Sequence, residues 1–316
     1  MRLCLVSSAG GHLLQLTQLE NVYERYEHFF LTVKRDDAIS ILEGKNAYYL
    51  PDPSRSVILH ISNFFNSLRI FLVEKPDVVI TTGAGFCLPI CIIAFLFRKK
   101  IFFIESFSRV FSPSAFGKLV NPLATLTIVQ WKEMKKYYRK CIYGGPIFSF
   151  KKFDTVGKHI FITVGTHTMQ FDRLVKEMDR IAYSLNEKII AQIGSCNYVP
   201  KNFEFFRYAE QKRIEEYIKN SKLVITHGGI GSIILSLKYS KPTIVVPRYK
   251  KFGEHVDEHQ TQITKAIEKI IIPVYDIKLL EDAIKKSLNF EFEVDFLNGK
   301  VNELLLKFLE EMGDKQ

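Results

Sequence analysis

The sequence of 316 residues contains no C-x-x-C pair, and its five cysteines are scattered and odd in number. That excludes a disulfide framework or zinc ribbon, and a reduced, cytoplasmic setting is expected. Cys87 and Cys91 stand four apart among Leu, Pro, Ile and Phe, and read as packed thiols. Long hydrophobic runs are also missing. The longest, "FCLPICIIAFLF" (86–97), has 12 residues. Spanning a bilayer takes ~20. The opening apolar run, Met1–Val6, is too short for a signal peptide. No G-x-G-x-x-G follows the first apolar run, and no acidic residue closes the second, "HFFLTV", which meets Lys34. A nicotinamide-cofactor reading is therefore weak. No RNP-like, zinc-finger or helix-turn-helix signature occurs, so no nucleic-acid partner is expected.

What is present is material for two cores. The chain is 47% hydrophobic and 25% charged, so it is not disordered. Its length suggests two domains. The net charge of +10 is uneven. Residues 1–150 hold 18 Lys and Arg against 11 Asp and Glu, or +7; the rest hold 26 against 23, or +3. A basic first half suits an anionic membrane surface. A generally basic surface explains it equally well.

Strand and helix periods alternate. "RLCLVSS" leads through "AGGH" to a helical stretch and then to "HFFLTV". "HIFITVG" leads through "THTMQ" to "FDRLVKEMDRIAYSL" and then to "KIIAQIG". Such series make βαβ units and parallel sheets. Two segments also correspond. "DVVITTGAG" (77–85) and "KLVITHGGIG" (222–231) are each an apolar strand, a glycine turn and a helix start. The expected fold is α/β, with two doubly wound Rossmann-like domains. The linker candidate is "YGGPIFSFKKFDTVGK" (143–158). Ligands of such sheets bind outside the carboxyl ends of the strands, so the cleft between the two is the expected site.

The turns carry candidate chemistry. Gly10 and Gly11, before His12, allow a backbone to approach an anion at a helix start, or simply cap it. Gly228, Gly229, Gly231 and Ser232 can present several N–H groups to a diphosphate, with the helix dipole favouring its charge. His227 can offer a proton or a positive charge to a departing diphosphate, or be a satisfied strand-end histidine. "GEHVDEHQ" (253–260) contains His255, Glu258 and His259 in the order H-x-x-E-H, a zinc-ligand pattern of some peptidases.

Several stretches together resemble a known family. "FITVGTHTMQFDRLVKEMDRI", "LVITHGGIGSI" and "VVPRYKKFGEHVDEHQTQI" are similar to the donor-binding domain of family 28-type glycosyltransferases. The nearest likeness is to the catalytic subunit of two-part exopolysaccharide glycosyltransferases. These are relatives of the eukaryotic pair that adds the second N-acetylglucosamine to a dolichyl-pyrophosphate sugar. "SSAGGHLLQL", "DVVITTGAGFCLPI", "FIESFSRVFSPSAFGKL", "IVQW" and "YGGPIF" resemble the partner subunit. The resemblance implies a GT-B fold, with residues 1–148 an acceptor-binding, membrane-associating domain and 149–316 a nucleotide-sugar-binding domain. It implies a UDP-sugar donor, a polyprenyl-pyrophosphate-sugar acceptor, inversion at the anomeric carbon, and neither a catalytic metal nor a cofactor. It also implies that "VNELLLKFLEEM" packs on the first domain. The zinc reading of "GEHVDEHQ" then yields to a clamp on donor sugar and phosphates.

In the second domain the donor is assigned Gly165, Thr166, His167, His227, Gly228, Gly229, Gly231, Ser232, Arg248, Glu254, His255, Glu258, His259 and Gln260. Arg248 faces the nucleotide or caps the sheet. Glu258, His259 and Gln260 suit sugar hydroxyls, and His255 the phosphates. The acceptor is assigned Gly10, Gly11, Gly83, Gly85, Ser106 and Arg109. Two residues compete as catalytic base. Glu105 follows the apolar run Ile101–Ile104, which would raise its pKa. His12 is suited to proton transfer near neutral pH. Relatives often carry a ribose-binding Glu where this chain has Leu235.

For the membrane, "VILHISNFFNSLRIFLV" (57–73) is helical in period with a broad apolar face. Phe107, Phe111 and Phe116 interleave with Arg109 and Lys118, which suits either an interface or ordinary packing. Attachment is expected to be peripheral, on the cytoplasmic face. The competing functions are a nucleotide-sugar epimerase and a non-catalytic nucleotide-sugar-binding protein.

Overall fold

Short runs of aliphatic and aromatic residues form the strands, and they fall into two sheets of one plan. The structure, a computed structural model, describes residues 1–53, 56–148, 154–166, 168–256, 258–268, 270–288 and 299–313. The first sheet holds β1 (Arg2–Ser7), β2 (Glu27–Val33), β3 (Ala47–Leu50), β4 (Val78–Gly83), β5 (Lys100–Ile104), β6 (Leu126–Val129) and β7 (Ile142–Tyr143). Its order is β3-β2-β1-β4-β5-β6-β7. The second holds β8 (His159–Thr163), β9 (Ile189–Gln192), β10 (Glu204–Phe206), β11 (Ser221–His227), β12 (Thr243–Val246) and β13 (Ile272–Pro273), in the order β10-β9-β8-β11-β12-β13. The pairings are parallel. In each, the strand order reverses beside the first strand, at β1/β4 and at β8/β11. That is where doubly wound sheets bind ligands.

Helices cover the faces. The first sheet carries α1 (Gly11–Thr17), α2 (Glu20–Tyr23), α3 (Asp36–Ile41), α4 (Val57–Glu74), α5 (Leu88–Leu96) and α6 (Ala115–Val120). The second carries α7 (Asp172–Leu185), α8 (Gln211–Lys219), α9 (Ile230–Lys238), α10 (His259–Ala266) and α11 (Leu280–Leu288), and α12 (Val301–Gly313) follows. α7 buries Leu174, Val175, Met178, Ile181 and Ala182, one stripe at helical spacing. Ser56 caps α4 and Ser114 caps α6, each accepting a backbone N–H of the first turn. Cys87 and Cys91 are buried in the first core, and burial pushes the Cys87 thiol up to about 12.

The chain forms two units, Met1–Ser149 with Asn298–Gln316, and Phe150–Leu297. The last residues thus group with the first unit, where the sequence division had put them with the second. The reason is an apolar stripe. Val301, Leu305 and Leu309 of α12 are all 0% exposed, and Phe308 meets Phe102 edge-on at 6.3 Å. In the second unit, buried Lys241 ties down the linker end through Asp154 (2.8 Å) and the Val156 carbonyl (3.0 Å).

Candidate active site

In the second unit, the turns after β8 and β11 meet around one imidazole. Gly165 has φ +71°, and a Cβ there would lie 2.5 Å from His227 Cε1. A Cβ on Gly229 would lie 2.0 Å from His227 Nε2. Only glycine fits on either side of this ring. Thr163 Oγ1 accepts from Gly165 N (3.1 Å) and donates to Gln192 Oε1 (2.6 Å). Thr226 Oγ1 donates to the Thr163 carbonyl (3.2 Å), which locks the two strand ends together. α9 begins after Gly229 with no side-chain cap. Gly229, Gly231 and Ser232 are half-buried, so their N–H groups border solvent. An uncapped helix start leaves backbone N–H groups and the positive end of the helix dipole available, a geometry that suits an anion.

The other donor candidates separate into two sets. Thr166 and Glu258 are exposed, and His255 is half-buried. Three turn inward. Gln260 Oε1 accepts from Gly228 N and Arg248 N, both at 3.0 Å, so its carbonyl end serves the backbone rather than a sugar. The Glu254 carboxylate is taken by Arg173 and Tyr249 N and is 1% exposed, so it is not a ligand contact. Arg248 is 0% exposed; its Nη2 donates to the Val164 carbonyl (2.9 Å) and its guanidinium lies over Phe171 at 5.2 Å. It caps the sheet, and burial lowers its pKa. His167, Asp257 and the side chain of His259 lie outside the described residues. Leu235 is 3% exposed and packs as core. Among the described residues no group of three His, Cys, Asp or Glu could hold a metal ion.

In the first unit, the β1 and β4 turns meet at His12. Gly10 (φ +76°) precedes α1, and Gly11 opens it. His12 Nδ1 lies 2.8 Å from the Thr82 carbonyl, and Thr82 Oγ1 donates to the His12 carbonyl at 2.8 Å. A carbonyl only accepts, so Nδ1 carries the proton and Nε2 the lone pair. Burial lowers the His12 pKa, and the Arg109 charge adds to this; the Thr82 bond and the Glu105 charge oppose it. The lowered pKa favours the neutral imidazole at pH 7. Gly83 has φ +99°, and a Cβ there would sit 3.7 Å from His12 Cε1 and 3.3 Å from Phe116. Ala84 also has φ +99°, a strained value for a residue with a side chain. Gly85 starts the short turn before α5.

Glu105 is placed otherwise than a base requires. It is 1% exposed, and both oxygens are occupied. Oε1 accepts from Ser106 N (2.9 Å). Oε2 accepts from Ser114 N (3.0 Å), Ser114 Oγ (3.1 Å) and the Tyr138 hydroxyl. Burial and the Glu105 charge push the Tyr138 phenol well above its ordinary value. Glu105 thus pins the loop before α6. Ser106 is 3% exposed and pairs with Gln15 Nε2 (3.2 Å) and Ser108 Oγ (3.0 Å), so it too belongs to the interior. Arg109 is half-buried, its N–H donating to the Ser106 carbonyl (2.9 Å). Gln130 completes the network, giving Nε2 to Gln15 Oε1 and to the Glu105 carbonyl, each at 2.9 Å. Sequence reasoning missed Thr82, Gln15, Gln130, Ser114 and Tyr138. Their bonds to His12, Glu105, Ser106 and one another span 9 to 115 residues, so sequence neighbours do not reveal them.

Residues 159–294 match the glycosyltransferase family 28 C-terminal domain, and residues 51–147 match the oligosaccharide biosynthesis protein Alg14-like family. The UDP-N-acetylglucosamine transferase subunit ALG14 of Mus musculus is 27% identical over 183 residues, covering 46% of this chain and 83% of that protein. The UDP-N-acetylglucosamine--N-acetylmuramyl-(pentapeptide) pyrophosphoryl-undecaprenol N-acetylglucosamine transferase of Prochlorococcus marinus (strain MIT 9515) is 24% identical over 343 residues, covering 98% of this chain and 91% of that protein. Two solved structures share the fold. UDP-GlcNAc 2-epimerase from Methanocaldococcus jannaschii has TM-score 0.68 at 15% identity, covering 98% of this chain and 100% of that one. MurG from Acinetobacter baumannii has TM-score 0.60 at 11% identity, covering 99% and 100%. Twin doubly wound sheets and these likenesses define a glycosyltransferase of the GT-B fold. In a single chain it joins an Alg14-like segment to a family 28 C-terminal domain, and it is a hexosyltransferase.

Proposed function

We propose that the protein moves a sugar, with inversion, from a UDP-linked donor to a polyprenyl-pyrophosphate-linked sugar in surface polysaccharide or lipid-linked glycan assembly. The observation that carries this reading is the uncapped start of α9, with Gly229, Gly231 and Ser232 bordering solvent beside His227. It suits a diphosphate leaving group. The names of the relatives make UDP-N-acetylglucosamine the first donor to test. In this reading the acceptor oxygen attacks the anomeric carbon as the bond to the diphosphate breaks. The acceptor proton passes to His12 Nε2. The α9 start and His227 take up the charge on the departing diphosphate. Glu105 holds the loop of Ser106 and Arg109 that serves the acceptor.

The acceptor is membrane-bound, and α4 suits the surface. Val57–Glu74 is long and apolar enough to cross a membrane by length and composition, and 28% of it is buried. Val57, Ile58, Ile61, Phe65, Leu72 and Val73 are exposed on it. Phe95, Leu96 and Phe97 are exposed at the end of α5, next to Arg98, Lys99 and Lys100. Apolar surface flanked by basic residues fits peripheral contact with an anionic cytoplasmic leaflet. Of the interleaved aromatics, Phe107 and Phe116 are core and Phe111 is exposed. A second reading, epimerisation, is favoured by the TM-score of 0.68 to the epimerase. Incubation with UDP-N-acetylglucosamine alone separates the two. An epimerase equilibrates the 2-position without an acceptor, whereas a transferase leaves the sugar unchanged until the lipid is added.

A further inference from the structure

Arg173, the second residue of α7, has a side chain 17% exposed, and its partner Glu254 is 1% exposed. The pair is bidentate, Nε to Oε1 and Nη2 to Oε2, each at 2.9 Å. Three rings box the guanidinium, with centroids at 5.3 Å (Phe171), 5.2 Å (Tyr249) and 5.3 Å (Phe252). Arg173 Nη2 also donates to the Pro247 carbonyl at 2.9 Å. Glu254 Oε2 also accepts from Tyr249 N at 3.0 Å. Pro247 and Tyr249 flank Arg248, so the ion pair grips the backbone on both sides of that residue. Arg248 N donates to Gln260 Oε1, which also accepts from Gly228 N, both at 3.0 Å. There is no slack at the last step, since a Cβ on Gly228 would lie 2.6 Å from Gln260 Cβ. An unbroken run of contacts therefore links α7 to the glycine turn.

We propose that Arg173 and Glu254 are positioning residues for the donor. They set the turn Gly228–Ser232 through Arg248 N and the Gln260 amide, and so hold it in its diphosphate-binding geometry. The proposal rests on the reading of that turn as the donor-diphosphate site. Arginine is required because its rigid fork meets a carboxylate and a carbonyl at fixed angles; a lysine ammonium is a point charge on a flexible stem.

Removing one partner strands a buried charge and can unfold the protein, whereas apolar replacement of both is often neutral. The test therefore uses the full chain with Arg173→Met/Glu254→Leu together, and with Arg173→Lys. Thermal unfolding, amide exchange across 226–232, UDP calorimetry and donor kinetics are measured. In the double variant Tm holds, while exchange at the Gly228 amide rises at least about tenfold. UDP Kd and donor KM rise about 10- to 100-fold with kcat kept, the scale on which small misplacements act. Arg173→Lys falls between. Should the double variant not fold, Arg173→Lys is judged by the same readouts. Unchanged exchange or unchanged UDP affinity in a folded variant overturns the proposal. If the wild-type protein does not bind UDP, the donor reading itself fails, and exchange at Gly228 alone decides the coupling.

Discussion

Glu105→Gln exchanges a carboxylate that accepts four hydrogen bonds for an amide that accepts at one end only. With the amide oxygen in place of Oε2, the Ser114 and Tyr138 donors are kept. The amide NH₂ then faces Ser106 N, 2.9 Å from the former Oε1. One bond to a charged acceptor is lost, and two buried donors oppose each other. A hydrogen bond to a charged group contributes ~1.5–3 kcal/mol, and a stranded buried donor costs ~1–3 kcal/mol. Because these overlap, a loss of roughly 2–4 kcal/mol is expected. Denaturant unfolding measures it as a lower midpoint at unchanged slope. Turnover is measured in parallel and expressed per folded molecule. Loss of a general base costs about 10²- to 10⁴-fold. A positioning Glu105 leaves turnover within about tenfold of wild type, below that range. An unchanged midpoint with turnover down a hundredfold or more would refute the reasoning and restore Glu105 as the base.

His12→Gln is expected to lower turnover about 10²- to 10⁴-fold with donor affinity kept; calorimetry and single-turnover rates check it. In the proposed mechanism His12 acts as neutral imidazole, and burial lowers its pKa. Activity is therefore full above that lowered value and is lost as pH falls through it, so the acid limb of the kcat profile lies below the ordinary histidine range. The same shift adds stability above the unfolded-state pKa that is lost on acidification. Gly165→Ala places a Cβ 2.5 Å from His227 Cε1 at φ +71°. The backbone alone resists this by ~1–2 kcal/mol, so UDP affinity should fall by about tenfold or more; unchanged affinity removes the β8 turn from the donor site. Ile58→Glu with Phe65→Glu should abolish binding to anionic liposomes at low salt, each apolar group contributing ~1.5–3 kcal/mol when buried. Retained binding would remove α4 from the contact.

The two sheets were legible because their strands are short apolar runs, several of them punctuated by glycine turns. "DVVITTGAG" and "KLVITHGGIG" both became the strand and turn at a switch point. The sequence showed the glycine turns as places for a close backbone approach, but not that Gly165 and Gly229 flank the His227 ring. Charged residues were harder. Glu105 and Glu254 both stand beside turns near the expected site; Glu105 read as a catalytic base and Glu254 as a donor contact. Each proves to be buried against partners far along the chain, Tyr138 at 33 residues and Arg173 at 81. A sequence shows which side chains are charged but not which way they turn. The tail behaved differently again. Its amphipathic pattern gave no partner, whereas the family resemblance implied packing on the first domain, and Val301, Leu305 and Leu309 are buried within the first unit.

The most direct test is a transfer assay with the purified full chain, UDP-N-acetylglucosamine and a polyprenyl-pyrophosphate-linked sugar in anionic vesicles, read by mass spectrometry. The expected result is a lipid product heavier by one sugar residue, with one UDP released per transfer. Conversion of the nucleotide sugar to its 2-epimer without any change in the lipid would contradict the central claim.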